Sequence, residues 1–296
     1  MEVIINKKTY NFTKDAIKKE ETRESYFSLL NSVFRINFNA WYESGFCGNS
    51  FTPYTLFDDD IAVAAVGAVV SDFKWNGVLK RYVQITSVLT HLAYREQGLS
   101  KWLMELVLKE WKDNCDAIYL YANDKVTSFY PKFGFVLADE YTYSMPLLKT
   151  DGLFRKLDLN VKDDVDLLVK KHNESNPFSS LAMNKGSEVM MFHCITFLYN
   201  DIYYIEKYDA VVIATQYEHK MFCYDIYTNK HCDIKDLLGI ISSDAIRIVT
   251  LGFTPSDATG YTAKKANEKG TNFFVLSGKE NILVDNKVTF PFLSRA

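Results

Sequence analysis

The sequence predicts a two-domain α/β protein of the α+β kind, each domain a mixed, mostly antiparallel sheet flanked by helices. Three observations lead there. The chain has 296 residues, and a single core rarely grows past about 250–300 residues before a chain divides. Residues 84–122 read as strand, polar turn, amphipathic helix and strand, and residues 151–296 repeat the sequence of element types of the first half. The composition, 48% hydrophobic and 15% aromatic, supplies enough apolar surface for two cores.

A short strand at 3–5 opens the chain. Between 20 and 38, Tyr26, Leu29, Leu30, Val33 and Phe34 recur at helical spacing and predict a helix with one apolar face. Residues 38–54 mix Trp41, Tyr42 and Tyr54 with Gly45 and Gly48, which break any period. That segment is a loop or a fragmented helix, its aromatics either plugging the core or walling a groove. Strands follow at 55–57 and 61–70, the longer apolar run being too short to span a bilayer. Between them Asp58, Asp59 and Asp60 lack the ligand spacing of a calcium loop and read as a solvated turn. Asn76-Gly77 signals a tight hairpin into a strand at 78–83.

Ile85, Thr86, Val88 and Thr90 then give strand-like β-branched density, and Leu99, Trp102, Leu103, Leu106 and Val107 share one face of a helix. The intervening Tyr94-Arg95-Glu96-Gln97-Gly98-Leu99-Ser100 delivers a glycine and a small residue to the helix start, so backbone N–H groups converge there without Cβ obstruction. Such a turn is an anion cradle for a phosphate or pyrophosphate, with Arg95 and Lys101 flanking it. By itself a glycine at a helix start is an ordinary connection. The larger unit adds a strand at 117–122, Asn123, a short helix at 126–130, and Phe133-Gly134-Phe135 leading into a closing strand at 136–145.

Two stretches, Arg95-Glu96-Gln97-Gly98-Leu99-Ser100 and Phe129-Tyr130-Pro131-Lys132-Phe133-Gly134-Phe135, give the unit its specificity. The array resembles the coenzyme A core of the GNAT superfamily of N-acetyltransferases: a bulged strand, an Arg/Gln-x-x-Gly-x-Gly/Ala turn, a helix, a strand, an Asn and a Phe-Tyr-x-Lys-x-Gly-Phe segment. The chain departs from it at Ser100, where the family has Gly or Ala, and at Pro131, which disfavours α conformation at Tyr130 and predicts that the short helix stops there.

The resemblance implies an acetyl-CoA-dependent N-acetyltransferase, with acetyl-CoA as co-substrate and no metal. The acetyl group would pass by direct attack to a primary amine of a small-molecule or peptide acceptor. Coenzyme contacts are expected from Val88, Leu89, Thr90, Arg95, Glu96, Gln97, Gly98, Leu99, Ser100, Asn123, Phe129 and Tyr130. The N–H of Leu89 or Thr90, freed by the bulge, would hold the thioester carbonyl, and Tyr130 would protonate the departing thiolate. Trp41, Tyr42, Glu43 and Tyr54 are candidates for the acceptor groove. The general base stays open among Glu43, His91, water and the Ala296 carboxylate. The last enters because enhanced intracellular survival type aminoglycoside acetyltransferases, also tandem-GNAT proteins, bring a C-terminal carboxylate to their site.

A polar connector at 146–151 divides the chain into an acetyltransferase domain, 1–148, and a second GNAT-like domain, 151–296. Helices at 162–171 and 234–241, strands at 202–206, 210–216, 221–227 and 245–253, an irregular stretch through Met191, and two C-terminal strands at 273–279 and 281–290 make up the second. Its turn at 229–236 has no glycine, and Asp233 reads as an N-cap that competes for the amides a phosphate would need, so this half is expected to be degenerate for coenzyme.

A net charge of −3 offers no basic footprint for nucleic acid. Five scattered cysteines without a C-x-x-C pair read as reduced thiols, and the N-terminus lacks the basic-then-apolar order of a signal peptide. A cytoplasmic protein without membrane attachment is expected, its oligomeric state unspecified. Two alternatives stand beside the enzyme: a non-catalytic acyl-CoA-binding sensor, and an interaction protein with both halves degenerate. The intact Arg95 turn, Asn123 and Tyr130 argue against the second.

Overall fold

The computed structural model describes residues 1–48, 50–174 and 176–296. β1 (Glu2–Ile5) and β2 (Lys8–Thr13) form a hairpin through Asn6 and Lys7, both at positive φ. α1 (Glu20–Phe34) ends short of the expected residue 38, because Arg35 turns left-handed at φ 57°. After α2 (Asn39–Glu43) come β3 (Phe51–Asp58), β4 (Ile61–Trp75) and β5 (Val78–Thr90), all antiparallel. Asn76 and Gly77 make the β4–β5 turn at φ 48° and 84°, as the Asn-Gly signal requires. α3 (Leu99–Trp111) then crosses to β6 (Ala117–Ala122), which runs parallel to β5.

The remaining elements are β7 (Phe135–Leu137), β8 (Tyr141–Pro146), β9 (Arg155–Lys156), α4 (Lys162–Glu174), β10 (Leu181–Met183), α5 (Glu188–Thr196), β11 (Ile202–Ile205), β12 (Ala210–Tyr217) and β13 (Lys220–Tyr227). They close with α6 (Ile234–Ile241), β14 (Ile248–Leu251), β15 (Thr262–Lys265) and β16 (Asn272–Leu276). No helix among the described residues is long and apolar enough to cross a membrane.

Two mixed sheets result, and they exchange strands. The first runs β1-β2-β3-β4-β5-β6-β16-β7, with β10 pairing β4; the second runs β15-β8-β14-β13-β12-β11-β9. The single closing strand expected at 136–145 is therefore two strands in two sheets, and β16 enters antiparallel between β6 and β7. The break has a physical cause at Glu140. Its buried carboxylate oxygen Oε1 accepts from Tyr121 Oη (3.0 Å), Thr289 Oγ1 (3.0 Å), Phe290 N (2.8 Å) and Arg295 Nη2 (3.2 Å), so the chain stops pairing there to anchor its own tail. Nor is 281–290 a strand: Ile282, Val288 and Phe290 pack on Phe73, Tyr82, Tyr119 and Phe273, with Phe290 stacked 4.2 Å from Tyr119. Sheet membership thus crosses the connector at 146–151.

Helices cover opposite faces of the first sheet. On one, Leu99, Leu103, Met104 and Val107 of α3 pack with Tyr54, Leu56, Ile85 and Leu120; on the other, Tyr26, Phe27, Leu29 and Leu30 of α1 pack with Phe57, Ala62, Ala65 and Leu89. Each fully buried Leu, Ile, Val, Met or Phe among them contributes about 1.5–3 kcal/mol. In the second sheet β13, α6 and the parallel β14 repeat the β5–α3–β6 succession. Asp233 caps α6, accepting from Lys235 N at 2.8 Å, so the start of this helix already holds a carboxylate.

The β12–β13 register shifts at Ile213/Ala214, where Tyr224 is skipped and Ile213 pairs with Asp225. It is buried and accepts from Asn176 Nδ2, Ile226 N (3.0 Å) and Tyr227 Oη (2.9 Å), yet burial pushes its pKa up to about 7. An unfolded Asp titrates near 3.9, so the unfolded chain gives up this proton first, and the Asp225 contribution to stability falls as pH rises from about 4 to about 7. His172, held down to about 4 by burial, acts with opposite sign over part of that window. The comparison that isolates Asp225 is wild type against Asp225→Asn. The melting-temperature difference should move steadily in the variant's favour from pH 4 to pH 7, and a pH-independent difference would refute the raised carboxyl.

Candidate active site

The site starts from a defect in β5. Ala64 pairs with Thr90 and Ala65 with Leu89, but Gly67 pairs with Thr86, so Ser87 and Val88 both face Val66, and Ser87 sits at φ 49°. The bulge lies just before Leu89 and Thr90. Opposite it Gly67 is obligatory: a Cβ there would fall 2.6 Å from Phe51 Cε2 and 3.0 Å from Thr86 Cγ2. His91 N donates to Val63 O at 2.8 Å, which fixes the phase of the ladder. By alternation Leu89 directs its N–H to β4, and Thr90 directs its N–H away from it. On that outer side β5 pairs with β6 only from Tyr82–Ala117 to Ile85–Leu120, so the edge at Thr90 is open among the described residues.

The following turn is held from several sides. Gln97 takes Asn6 Nδ2 on its carbonyl (2.8 Å) and Tyr10 Oη on its Oε1 (2.9 Å), while its Nε2 donates to Ala93 O (3.2 Å). Tyr94 Oη and Lys8 Nζ both reach Asp58 Oδ2, at 2.6 and 2.5 Å, which holds that carboxyl below its ordinary range. Asp58 is therefore an ion-pair partner of the β1–β2 hairpin. Glu96 and Gly98 adopt φ 63° and 79°, and α3 begins after Gly98 without a side-chain cap, so among the described residues its first N–H groups have no side-chain acceptor. These are the features a phosphate needs. Ser100 Oγ lies 2.6 Å from Thr90 Oγ1, tying the helix start to the open edge, and Arg95 Nε lies 3.5 Å from Thr90 O.

Asn123, exposed at the end of β6, accepts from Lys125 N at 3.0 Å and so caps its own turn. The helix expected at 126–130 is two 3-10 turns instead, Asp124–Val126 and Tyr130–Phe133, with Pro131 inside the second. Tyr130 is 5% exposed, its ring centroid 5.3 Å from Phe129 and 5.7 Å from Phe274 of β16. Burial raises its phenol to about 12, so it stays a protonated donor at neutral pH.

A cavity of about 50 Å³ opens against the bulge, touched by Thr86 and Ser87 and walled by α1, α2, β3, β4 and α5. Trp41 is in the wall, its Nε1 donating to Glu188 O at 3.1 Å, and Phe38 stacks on Phe192 at 5.6 Å. The other expected groove residues lie elsewhere. Tyr42 accepts from Arg23 Nη1 (2.9 Å), Tyr54 is buried on the α3 face and accepts from Trp111 Nε1 (3.0 Å), and Glu43 is exposed at the end of α2, outside the cavity lining. His91 is exposed too and caps the turn after β5, accepting from Ala93 N at 3.3 Å. Tyr26, Val189 and Phe192 complete the wall, and no motif announced them. At the cavity edge Ala296 is docked on β5: its O accepts from Gln84 Nε2 and Thr86 Oγ1, each at 2.8 Å, and its N donates to Gln84 Oε1 at 2.9 Å.

Residues 15–135 match the profile of the Acetyltransferase (GNAT) family. No curated protein sequence matches the chain. Among solved structures, a conserved protein of Enterococcus faecalis V583 described as a probable N-acyltransferase aligns with a TM-score of 0.61 at 15% identity, covering 90% of this chain and 71% of its own. A GCN5-related N-acetyltransferase from Anabaena variabilis gives 0.57 at 14% identity over 90% and 72%, and Eis1 from Mycobacterium abscessus gives 0.51 at 11% over 89% and 73%. At these identities the likeness is one of fold, and it extends across both sheets. Residues 15–135, within this two-sheet α+β fold, are thus the part of the chain that matches the GNAT acetyltransferase family.

Proposed function

We propose that the protein transfers the acetyl group of acetyl-CoA to a primary amine by direct attack, at a single site on the β5 bulge. The observation that carries this reading is the open edge at Thr90 tied through Ser100 to the uncapped start of α3. In it, the amides of Leu99, Ser100 and Lys101 receive the pyrophosphate, with Arg95, Glu96, Gln97 and Gly98 shaping the turn and Val88, Leu89, Asn123 and Phe129 lining the coenzyme's path. The N–H of Thr90 donates to the thioester oxygen as it gains charge. The amine nitrogen bonds to the acetyl carbon, the C–S bond breaks, and Tyr130 gives its proton to the leaving sulfur. The base stays open among Glu43, His91, water and Ala296; of these Ala296 is the residue that Gln84 and Thr86 hold beside the bulge, and Glu43 and His91 lie outside the cavity lining.

Two measurements test the proposal. A panel of primary amines assayed by thiol release should show turnover with at least one member; coenzyme binding with no turnover on any amine would favour the sensor instead. Calorimetric titration should saturate at one acetyl-CoA per chain, because the Asp233 carboxylate sits at the start of α6 on the Lys235 amide, where a second phosphate would have to go. Saturation at two would contradict the degenerate second half.

A further inference from the structure

The cavity at the bulge has a chemistry of its own. Phe27, Leu30, Phe38, Trp41, Phe51 and Phe192 form most of its wall, Ala296 stands at its edge, and among the described residues no Asp, Glu, Lys or Arg side chain lines it. Among the described residues Tyr26 carries the one phenol there, and that hydroxyl is itself fully buried, without a hydrogen-bond partner, and held protonated by burial. A charged group placed inside would lose its hydration and find no side-chain counter-ion, a loss that binding energy rarely recovers. An apolar group would only exchange water for aromatic surface. A water requires roughly 10–15 Å³ of such space, so about 50 Å³ receives a short alkyl group of about four heavy atoms or the leading edge of an aryl ring, the rest of the molecule staying at the mouth.

The location matters as much as the lining. The wall belongs to the α1 face of the first sheet, whereas α3 packs on the opposite face, so the cavity is reached from the side away from the phosphate cradle. Thr86 and Ser87 bring it to the bulge itself. Its far wall comes from the second half of the chain, through Val189 and Phe192 of α5. That half is thereby part of the acceptor's surroundings, even though its own helix start is capped.

We infer that the acceptor is a monoamine whose body is a small apolar or aromatic group seated in this cavity, and that a polyamine or other polycation is excluded; this rests on the acetyl-transfer reading above. Calorimetry with coenzyme A present, where no transfer can occur, tests it with 2-phenylethylamine and spermidine as probes. The aromatic monoamine should bind at least about tenfold more tightly, as differences of one or two buried methylenes already give in apolar pockets. Its binding heat capacity should be negative. Val189→Phe, which fills the cavity from α5, should lower that affinity about tenfold and leave coenzyme affinity unchanged; Val189→Leu serves if the larger variant does not fold.

Spermidine binding equal to or tighter than 2-phenylethylamine, or affinity unaffected by both Val189 variants, overturns the inference. The parent reading fails separately. Binding of 2-phenylethylamine that the Val189 variants weaken, with no thiol released from acetyl-CoA by any amine, leaves the apolar site standing and removes the transferase. Thiol release with spermidine alone does the reverse.

Discussion

Tyr130→Phe should lower turnover by roughly a hundredfold or more and leave the acetyl-CoA dissociation constant within about twofold of wild type. The substitution removes one oxygen and keeps the ring contacts, which are with Phe129, Phe135 and Phe274 at centroid distances of 5.3, 6.3 and 5.7 Å. Stability should therefore change little. The hydroxyl matters when the sulfur departs: a proton supplied there lets it leave as the neutral thiol and stabilises the charge that develops on it, and a phenol raised to about 12 by burial is protonated throughout the working range. Because that hydrogen bond strengthens as charge develops on sulfur, its loss appears in turnover and hardly in ground-state binding. The pH–rate profile of wild type should likewise show no falling limb from Tyr130 near neutrality. Both constants need measuring. Near wild-type turnover in the variant would exclude the acid role, and a large loss of coenzyme affinity would assign Tyr130 to packing.

What could be read in the sequence was what local physics decides. β6 covers residues 117–122 and α6 residues 234–241, as expected, because apolar periodicity and an N-cap such as Asp233 act within a few residues. The Gly98 turn was legible for the same reason. The strand exchange was not, since nothing in Tyr141–Pro146 says which sheet receives it; the decision lies in Glu140 meeting Thr289, Phe290 and Arg295 far along the chain.

α5 stayed hidden among irregular residues for a different reason. Val189, Met190, Met191, His193 and Cys194 are all buried, so the helix has no polar face to reveal its period, and Val189 and Phe192 gave no sign of reaching the bulge. The reverse error occurred at 281–290, where apolar residues buried without any ladder were read as a strand. Ser87 at φ 49° also has no propensity signal, which is why a bulge was expected from resemblance and its register was not. Glu43 was expected at the site through its place in an aromatic segment, but the short helix α2 turns Trp41 inward and leaves Glu43 in solvent.

Gly98→Glu should weaken acetyl-CoA binding by roughly a hundredfold, since like charges brought together in a site cost several kcal/mol and each 1.4 kcal/mol is a factor of ten. Two effects must be separated to read that result. Gly98 sits at φ 79°, where any side chain costs about 1–2 kcal/mol, and a Cβ would lie 3.3 Å from Asn6 Nδ2, a flexible group that can give way. Gly98→Ala introduces the same strain without charge and should cost about tenfold in affinity or less. The glutamate adds a carboxylate where the α3 amides are exposed. It is favoured there by the helix dipole, which offsets part of the strain and lets the variant fold, and it occupies the donors that the pyrophosphate requires. Its excess loss over alanine should shrink as salt is raised, because the repulsion is between solvent-accessible charges. Calorimetry on both variants at low and high salt decides the matter: equal losses would assign the effect to backbone strain, and an unchanged dissociation constant in a folded Gly98→Glu protein would move the phosphate cradle away from this turn.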